Sequence, residues 1–222
     1  MSKIVLPKTD SEGNYYVSYS QLSTWKKSKR EYIRQYFFGE SFEGNAYTAF
    51  GSKIGEALEN NDFSEFTKAE QKILKSIPRY DEFEREIKLD LGGFYVKGFI
   101  DTSSAPEDHE KGKHVRRLAD YKTGDKAKKA SEYQSDDYIQ LDIYAAALEQ
   151  EFGTLPDSVC VYLIDRKGNA FQNEELVLGD GFVTITKDTT PERVKAVKAD
   201  IIETVQEISN YYQLFLKLKT LM

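Results

Sequence analysis

Apolar residues recur at helical spacing in the first part of the chain and at strand spacing further on. Between 20 and 38, Leu22, Trp25, Ile33, Tyr36 and Phe37 fall mostly three or four apart, which predicts a helix with a break near Ser28. A second helix is predicted over 48–60. A third follows Thr67, which with Glu70 has the spacing of a capping box. The period then changes to two. Phe83, Ile87, Leu89 and Leu91 alternate with polar residues, Gly92-Gly93 supplies a two-residue turn, and Phe94, Val96, Gly98 and Ile100 resume the alternation, as in a β-hairpin.

Residues 103–113 are polar and read as an exposed loop within one domain. A strand is predicted over 115–122 and a helix over 135–152, with Tyr138, Leu141, Tyr144, Ala145 and Leu148 on one face. The apolar run over 159–165 reads as a buried strand, and one or two strands follow between 171 and 186. The last helix is capped by Thr190 or Thr189 and has Pro191 in its first turn. Val194, Val197, Ile201, Val205, Ile208, Tyr212 and Phe215 mark its apolar stripe. This order of elements predicts an α/β fold with a central mixed β-sheet flanked by helices.

Composition narrows the class. Among 222 residues, 40% are hydrophobic and 13% aromatic, which excludes disorder over most of the chain. No apolar run reaches the roughly 18 residues of a membrane helix, and MSKIVLPKTD lacks the apolar stretch of a secretory signal. A cytoplasmic location with no membrane partner is therefore expected. The lone Cys160 permits neither an internal disulfide nor a four-thiolate cluster and is expected to be a buried strand residue. The net charge of −6 argues against a generic nucleic-acid coat. It leaves room for an enzyme that binds nucleic acid locally, because a metal site needs carboxylates.

Asp101 ends the second hairpin strand, and Asp120-Tyr121-Lys122 closes the next. Alternation puts Asp120 and Lys122 on one face and Tyr121 on the other, with the Tyr121 backbone carbonyl near the strand edge. Two carboxylates from neighbouring strands, with a lysine two residues along, make an oxygen-rich pocket suited to Mg²⁺ or Mn²⁺. Such an ion polarises a phosphoryl oxygen and lowers the pKa of a bound water. Lys122 would orient that water or neutralise charge developing on phosphorus. A bare D-x-K triplet is common, and most often it is a surface ion pair worth ~0–1 kcal/mol.

The company of this triplet is more specific. GFID ending at Asp101, LADYKTG over 118–124 and YIQLDIYAAAL over 138–148 together resemble the RecB-like exonuclease branch of the PD-(D/E)XK nuclease superfamily. That branch has a G-x-x-D strand end, a D-Y-K-T-G strand and a following helix with Q-x-x-x-Y, here Gln140 and Tyr144, which share one helix face. SYSQLSTWKKSKREYIRQYFFG from Ser18 resembles its opening helical segment, and FGSKIGEALE over 50–59 its F-G-x-x-x-H-x-x-L-E helix. The resemblance runs to the strand at Asp165. It implies a restriction-endonuclease-like core in one domain over 18–222, preceded by an N-terminal extension over 1–17. It also implies metal-dependent hydrolysis of phosphodiester bonds in DNA replication, recombination or repair, by an exonuclease similar to stand-alone phage-type enzymes and encoded by a phage or a bacterium. Asp101, Asp120 and the Tyr121 carbonyl would hold Mg²⁺ or Mn²⁺, Lys122 would position the water, and Gln140 and Tyr144 would order the site. No G-x-x-x-x-G-K-[ST] phosphate loop is present. Coupling to unwinding would go through a partner such as a helicase, a polymerase or a single-strand-binding protein.

The sequence departs from the pattern at Gly55, where the family places a histidine. His109 and His114, the only histidines, lie in or beside the polar loop and do not fit that role. Glu59, one helical turn on from Gly55, is the candidate replacement as metal ligand or proton acceptor, and Glu56 is a weaker one. Some relatives hold an iron–sulfur cluster. Here Ser28 stands at about the place of its first cysteine and the last helix has none, so no cluster is expected. Lys26, Lys27, Lys29 and Arg30 beside Trp25 and Tyr32, with Lys126, Lys128 and Lys129, are candidate DNA contacts. The missing histidine motivates an alternative, a non-catalytic DNA-binding or assembly subunit that retains the fold. A phosphoryl hydrolase acting on small substrates is a further alternative.

Overall fold

A short strand that the periodicity does not predict, β1 (Tyr16–Ser18), leads directly into α1 (Tyr19–Lys27), which Ser18 caps by accepting from the Gln21 N–H. Ser28 ends α1 in extended backbone and caps α2 (Lys29–Tyr32), after which a wider π-type turn spans Ile33–Phe37. The predicted break thus falls on the residue that serves both helices. α3 (Ala46–Asn60) starts two residues before its predicted position because Asn45 and Thr48 form a capping box, and α4 (Lys68–Ser76) begins at the Thr67–Glu70 box. The chain is described here from a computed structural model that covers residues 3–41, 43–105 and 115–221. His109, His114 and most of the predicted 103–113 loop lie outside the described residues.

The hairpin consists of β2 (Glu82–Asp90) and β3 (Tyr95–Ser103), turning at Gly92 and Gly93, whose φ angles of 76° and 90° favour glycine. Next come β4 (Arg117–Gly124), then α5 (Lys126–Gln134), which the periodicity does not predict, and α6 (Gln140–Phe152), which starts five residues later than the helix expected over 135–152. The Lys187 ammonium takes up the carbonyls of Ser135 and Tyr138, a tertiary contact that holds 135–139 out of helix and has no trace in the apolar spacing. β5 (Ser158–Lys167) is the predicted buried strand. A single strand, β6 (Val177–Lys187), fills the region where one or two were expected, after a short 3₁₀ turn at Ala170–Gln172. The long α7 (Pro191–Lys219) is capped by Thr190.

The six strands form one mixed sheet in the order β1-β3-β4-β5-β6, with β2 on the other side of β3. β4 and β5 run parallel, and the hairpin and the β5–β6 pair are antiparallel. Side chains alternate between two cores. Leu118, Val159, Val161 and Leu163 face α6, α7 and Trp25, while Ala119, Cys160, Tyr162 and Ile164 face Ile54 and Leu58 of α3 and Leu74 of α4. Every residue from Gln140 to Leu148 is buried, so α6 is the central helix of the larger core. Leu6 and Val17 also belong to that core. Among the described residues, no helix is long and apolar enough to cross a membrane.

Candidate active site

The site lies where two strands part. β3 and β4 pair only at Thr102↔Ala119 and Ser103↔Leu118. Extending that register would bring Asp101 opposite Asp120, but the ladder stops there and the strands splay. The Tyr121 N–H donates instead to the Asp101 side chain, at 2.6 Å. Further along the same edge, β3 pairs with β1 at residues 95–97. The edge between these two ladders is open, and Tyr144 of α6 fills part of it by donating its hydroxyl to the Phe99 carbonyl at 2.6 Å.

Asp120 is 1% exposed. A buried carboxylate has to be compensated by donors, and here they are complete. Gln140 Nε2 donates to Oδ1 at 2.9 Å, the Tyr138 hydroxyl lies 3.3 Å from Oδ2, and the Lys122 ammonium forms an ion pair with Oδ2. The same Gln140 amide nitrogen lies 2.5 Å from the Tyr144 oxygen. Gln140 and Tyr144 therefore tie together the strands that carry the two aspartates. Gly98 makes this approach possible, since a Cβ there would sit 3.2 Å from Cε1 of Tyr144.

Asp101 is half-buried, and its carboxyl is pushed up to about 7. Burial is the largest cause and the nearby Asp120 charge the next, with Glu84 adding to it; Lys122 and the Tyr121 N–H oppose the rise. Burial alone would depress the Lys122 ammonium, but Asp120 and Asp101 outweigh it and hold its pKa above the ordinary lysine value. Glu84 was not anticipated. It lies between the Phe83↔Thr102 and Arg85↔Ile100 pairs, level with Asp101, and adopts φ 47°, a left-handed conformation unusual for a strand residue. Its pKa is raised by partial burial, then by Glu59 and Asp120. Counting back from the Gly92-Gly93 turn pairs position 84 with 101, so the signal was present in the sequence.

A cleft of about 350 Å³ opens beside this cluster. Asp101, Lys122 and Glu84 line it from the sheet, and Gly55, Glu56 and Glu59 line it from α3. Both helix glutamates reach the cleft, so the ranking of Glu59 above Glu56 does not follow from placement alone. A side chain at position 55 would meet open space. The Tyr121 ring points into the second core, as alternation predicts, and its hydroxyl donates to the Pro78 carbonyl. Tyr138, read from the sequence only as an apolar helix position, sits in the loop before α6 and touches both Asp120 and Gln140.

The predicted DNA contacts are mostly spoken for. Lys26 pairs with Asp200, Lys29 with Glu207 and Lys128 with Asp125, while Lys126 reaches the Asp180 carbonyl and lies 3.9 Å from Asp165. Lys129 pairs with Glu132. Lys27 and Arg30 are exposed, with no ion-pair partner among the described residues.

The donor set suits a hard cation. Asp101 and Asp120 both act on the Lys122 ammonium, and the upward shift at Asp101, caused first by burial and then by the Asp120 charge, is one that a divalent ion would relieve. Among the described residues, no three His, Cys, Asp or Glu side chains form a ready-made cage. An ion here would lean on two carboxylates together with backbone and water oxygens, which is the habit of Mg²⁺.

The family model for the PD-(D/E)XK nuclease superfamily matches residues 53–215. No curated protein matches the chain. The fold is similar to that of a crystal structure of a candidate exonuclease from Eubacterium rectale, with a TM-score of 0.53 and 13% identity, covering 92% of this chain and 88% of the other. At that identity the likeness concerns the fold alone.

Proposed function

Because the chain belongs to the PD-(D/E)XK nuclease superfamily, we propose that it is a Mg²⁺- or Mn²⁺-dependent DNA nuclease, an exonuclease of the RecB-like kind acting in replication, recombination or repair. The observation that carries this reading is the fork between β3 and β4, where Asp101, Asp120 and Lys122 meet beside an open cleft. The catalytic unit is taken as one domain over 18–222, to which the preceding segment adds Leu6 and Val17 of the core and the start of β1. A cytoplasmic setting in a phage or bacterial host, and a helicase, polymerase or single-strand-binding protein as partner, go with the same reading.

Asp101, Asp120 and the Tyr121 carbonyl would hold the ion, with Glu59 the added candidate from α3. When bound, the ion would polarise a phosphoryl oxygen and lower the pKa of its water. Lys122, kept protonated by the two aspartates, would place positive charge against the scissile phosphate and orient the attacking water. Gln140 and Tyr144 would hold the Asp120 carboxylate in place beside Lys122 and Asp101.

Digestion of end-labelled linear DNA and closed circular DNA, with Mg²⁺ and with Mn²⁺, tests this directly. Linear DNA should be degraded and circles spared. Lys122→Ala should lower cleavage by about 10²–10³-fold while leaving DNA binding nearly intact. Wild-type rates in that variant would remove Lys122 from the mechanism. The open space at Gly55 favours one competing reading, a non-catalytic DNA-binding subunit. That reading gains if the purified protein binds DNA but cleaves no substrate with either metal.

A further inference from the structure

An amide side chain has two ends of nearly equal shape, one donating and one accepting. For Gln140 to help Asp120, its NH₂ must face the carboxylate; turned over, its carbonyl would repel it. Asp120 Oδ1 and the Tyr144 oxygen, whose own proton goes to the Phe99 carbonyl, both accept from Gln140 Nε2 and fix the choice, while the Tyr138 hydroxyl secures the other end of the amide. That hydroxyl lies 2.9 Å from Gln140 Oε1 and 3.3 Å from Asp120 Oδ2, both acceptors, so its single proton is directed into the pair.

The loop that carries Tyr138 is itself anchored from a distance. Lys187 of β6 donates to the Ser135 carbonyl at 2.9 Å and to the Tyr138 carbonyl, and is 7% exposed. Its charge is met by Asp142 of α6 at 3.5 Å. Asp142, 2% exposed, is in turn chelated by Arg193 of α7 through Nε and Nη2 at 3.1 and 3.2 Å. A buried cation costs free energy unless it is paired and hydrogen-bonded. Here that cost is met at the loop that presents Tyr138, for a lysine about 50 residues further along the chain.

We propose that Tyr138 is a positioning residue for the catalytic carboxylate Asp120, holding the Gln140 amide against it by donating to Oε1, and that Lys187 acts as the anchor of Tyr138. This rests on the nuclease reading above. Neither residue touches the substrate phosphate; both act through Asp120.

The test compares wild type, Tyr138→Phe, Lys187→Met and the double variant by Mn²⁺ calorimetry and by steady-state cleavage of linear DNA. Tyr138→Phe should fold, bind Mn²⁺ about tenfold more weakly and lose about tenfold in kcat, with KM for DNA nearly unchanged. Lys187→Met should weaken Mn²⁺ binding similarly, and the double variant should be no worse than the poorer single one. If Lys187→Met does not fold, Lys187→Arg, which keeps the charge but moves the donors, takes its place. Wild-type Mn²⁺ affinity and kcat in Tyr138→Phe would overturn the assignment, and additive losses would remove Lys187 from it. Should wild type cleave no DNA, the nuclease reading fails, and the calorimetry alone still decides the role of Tyr138.

Discussion

Burial and the neighbouring Asp120 make Asp101 give up its proton less readily than an ordinary aspartate. Its carboxyl is pushed up to about 7, first by burial and then by Asp120. Between the normal carboxylate range and that value, folding takes up a proton. The stability this group contributes is therefore full in acid and is lost as pH rises through about 7. With a chelator present, Asp101→Asn should be more stable than wild type at pH 8 by about 2 kcal/mol, and no better at pH 4. Urea unfolding at the two pH values measures this, and equal stability at pH 8 would mean the acids do not conflict. At this scale the sequence showed Asp101, Asp120, Lys122, Gln140 and Tyr144 through their motif spacing. Tyr138 carried no such mark, because its role comes from a hydroxyl contact across 18 positions.

Two glycines separate what an element needs from what its neighbours need. Gly55 lies inside α3 facing open space, so Gly55→Ala should stabilise the protein by roughly 0.5–1 kcal/mol through backbone entropy alone. Thermal unfolding reads this, and a lower midpoint would mean the helix needs glycine there. Gly98 in β3 has the opposite character. A methyl group would press on the Tyr144 ring at 3.2 Å and on Ile87 Cδ1 at 3.4 Å, so Gly98→Ala should cost about 1–3 kcal/mol. Cleavage should also fall, since Tyr144 moves with its Gln140 and Phe99 contacts; unchanged stability would show that the ring gives way freely. The helices were legible where caps accompany the apolar spacing, as at Ser28, Thr67 and Thr190. The start of α6 was not, because a lysine of β6 ends the preceding segment.

Over the whole molecule, acidic residues exceed basic ones by six, and several exposed lysines pair with the protein's own acids. Lys26 and Lys29 of the opening helices are neutralised by Asp200 and Glu207 of α7. Lys26→Ala and Lys29→Ala should therefore change DNA affinity by less than about twofold, whereas Lys27→Ala with Arg30→Ala should weaken it and flatten its salt dependence. Equal losses in both pairs, measured by fluorescence anisotropy at two salt concentrations, would show that internal pairing does not govern the contact surface.

The sequence by itself determined the α/β class, the hairpin, most helix starts and the spacing of the acids, the lysine and the Gln–Tyr pair. These are local properties: side-chain periods, caps and residues one helical turn apart are written in consecutive positions. Only the tertiary structure decided where β3 and β4 part, which way the Gln140 amide faces and which lysines remain unpaired. Each of those depends on hydrogen bonds or ion pairs between residues 20 to 178 positions apart, as in Gln140–Asp120 and Lys29–Glu207. Contacts of that span leave no periodic trace along the chain.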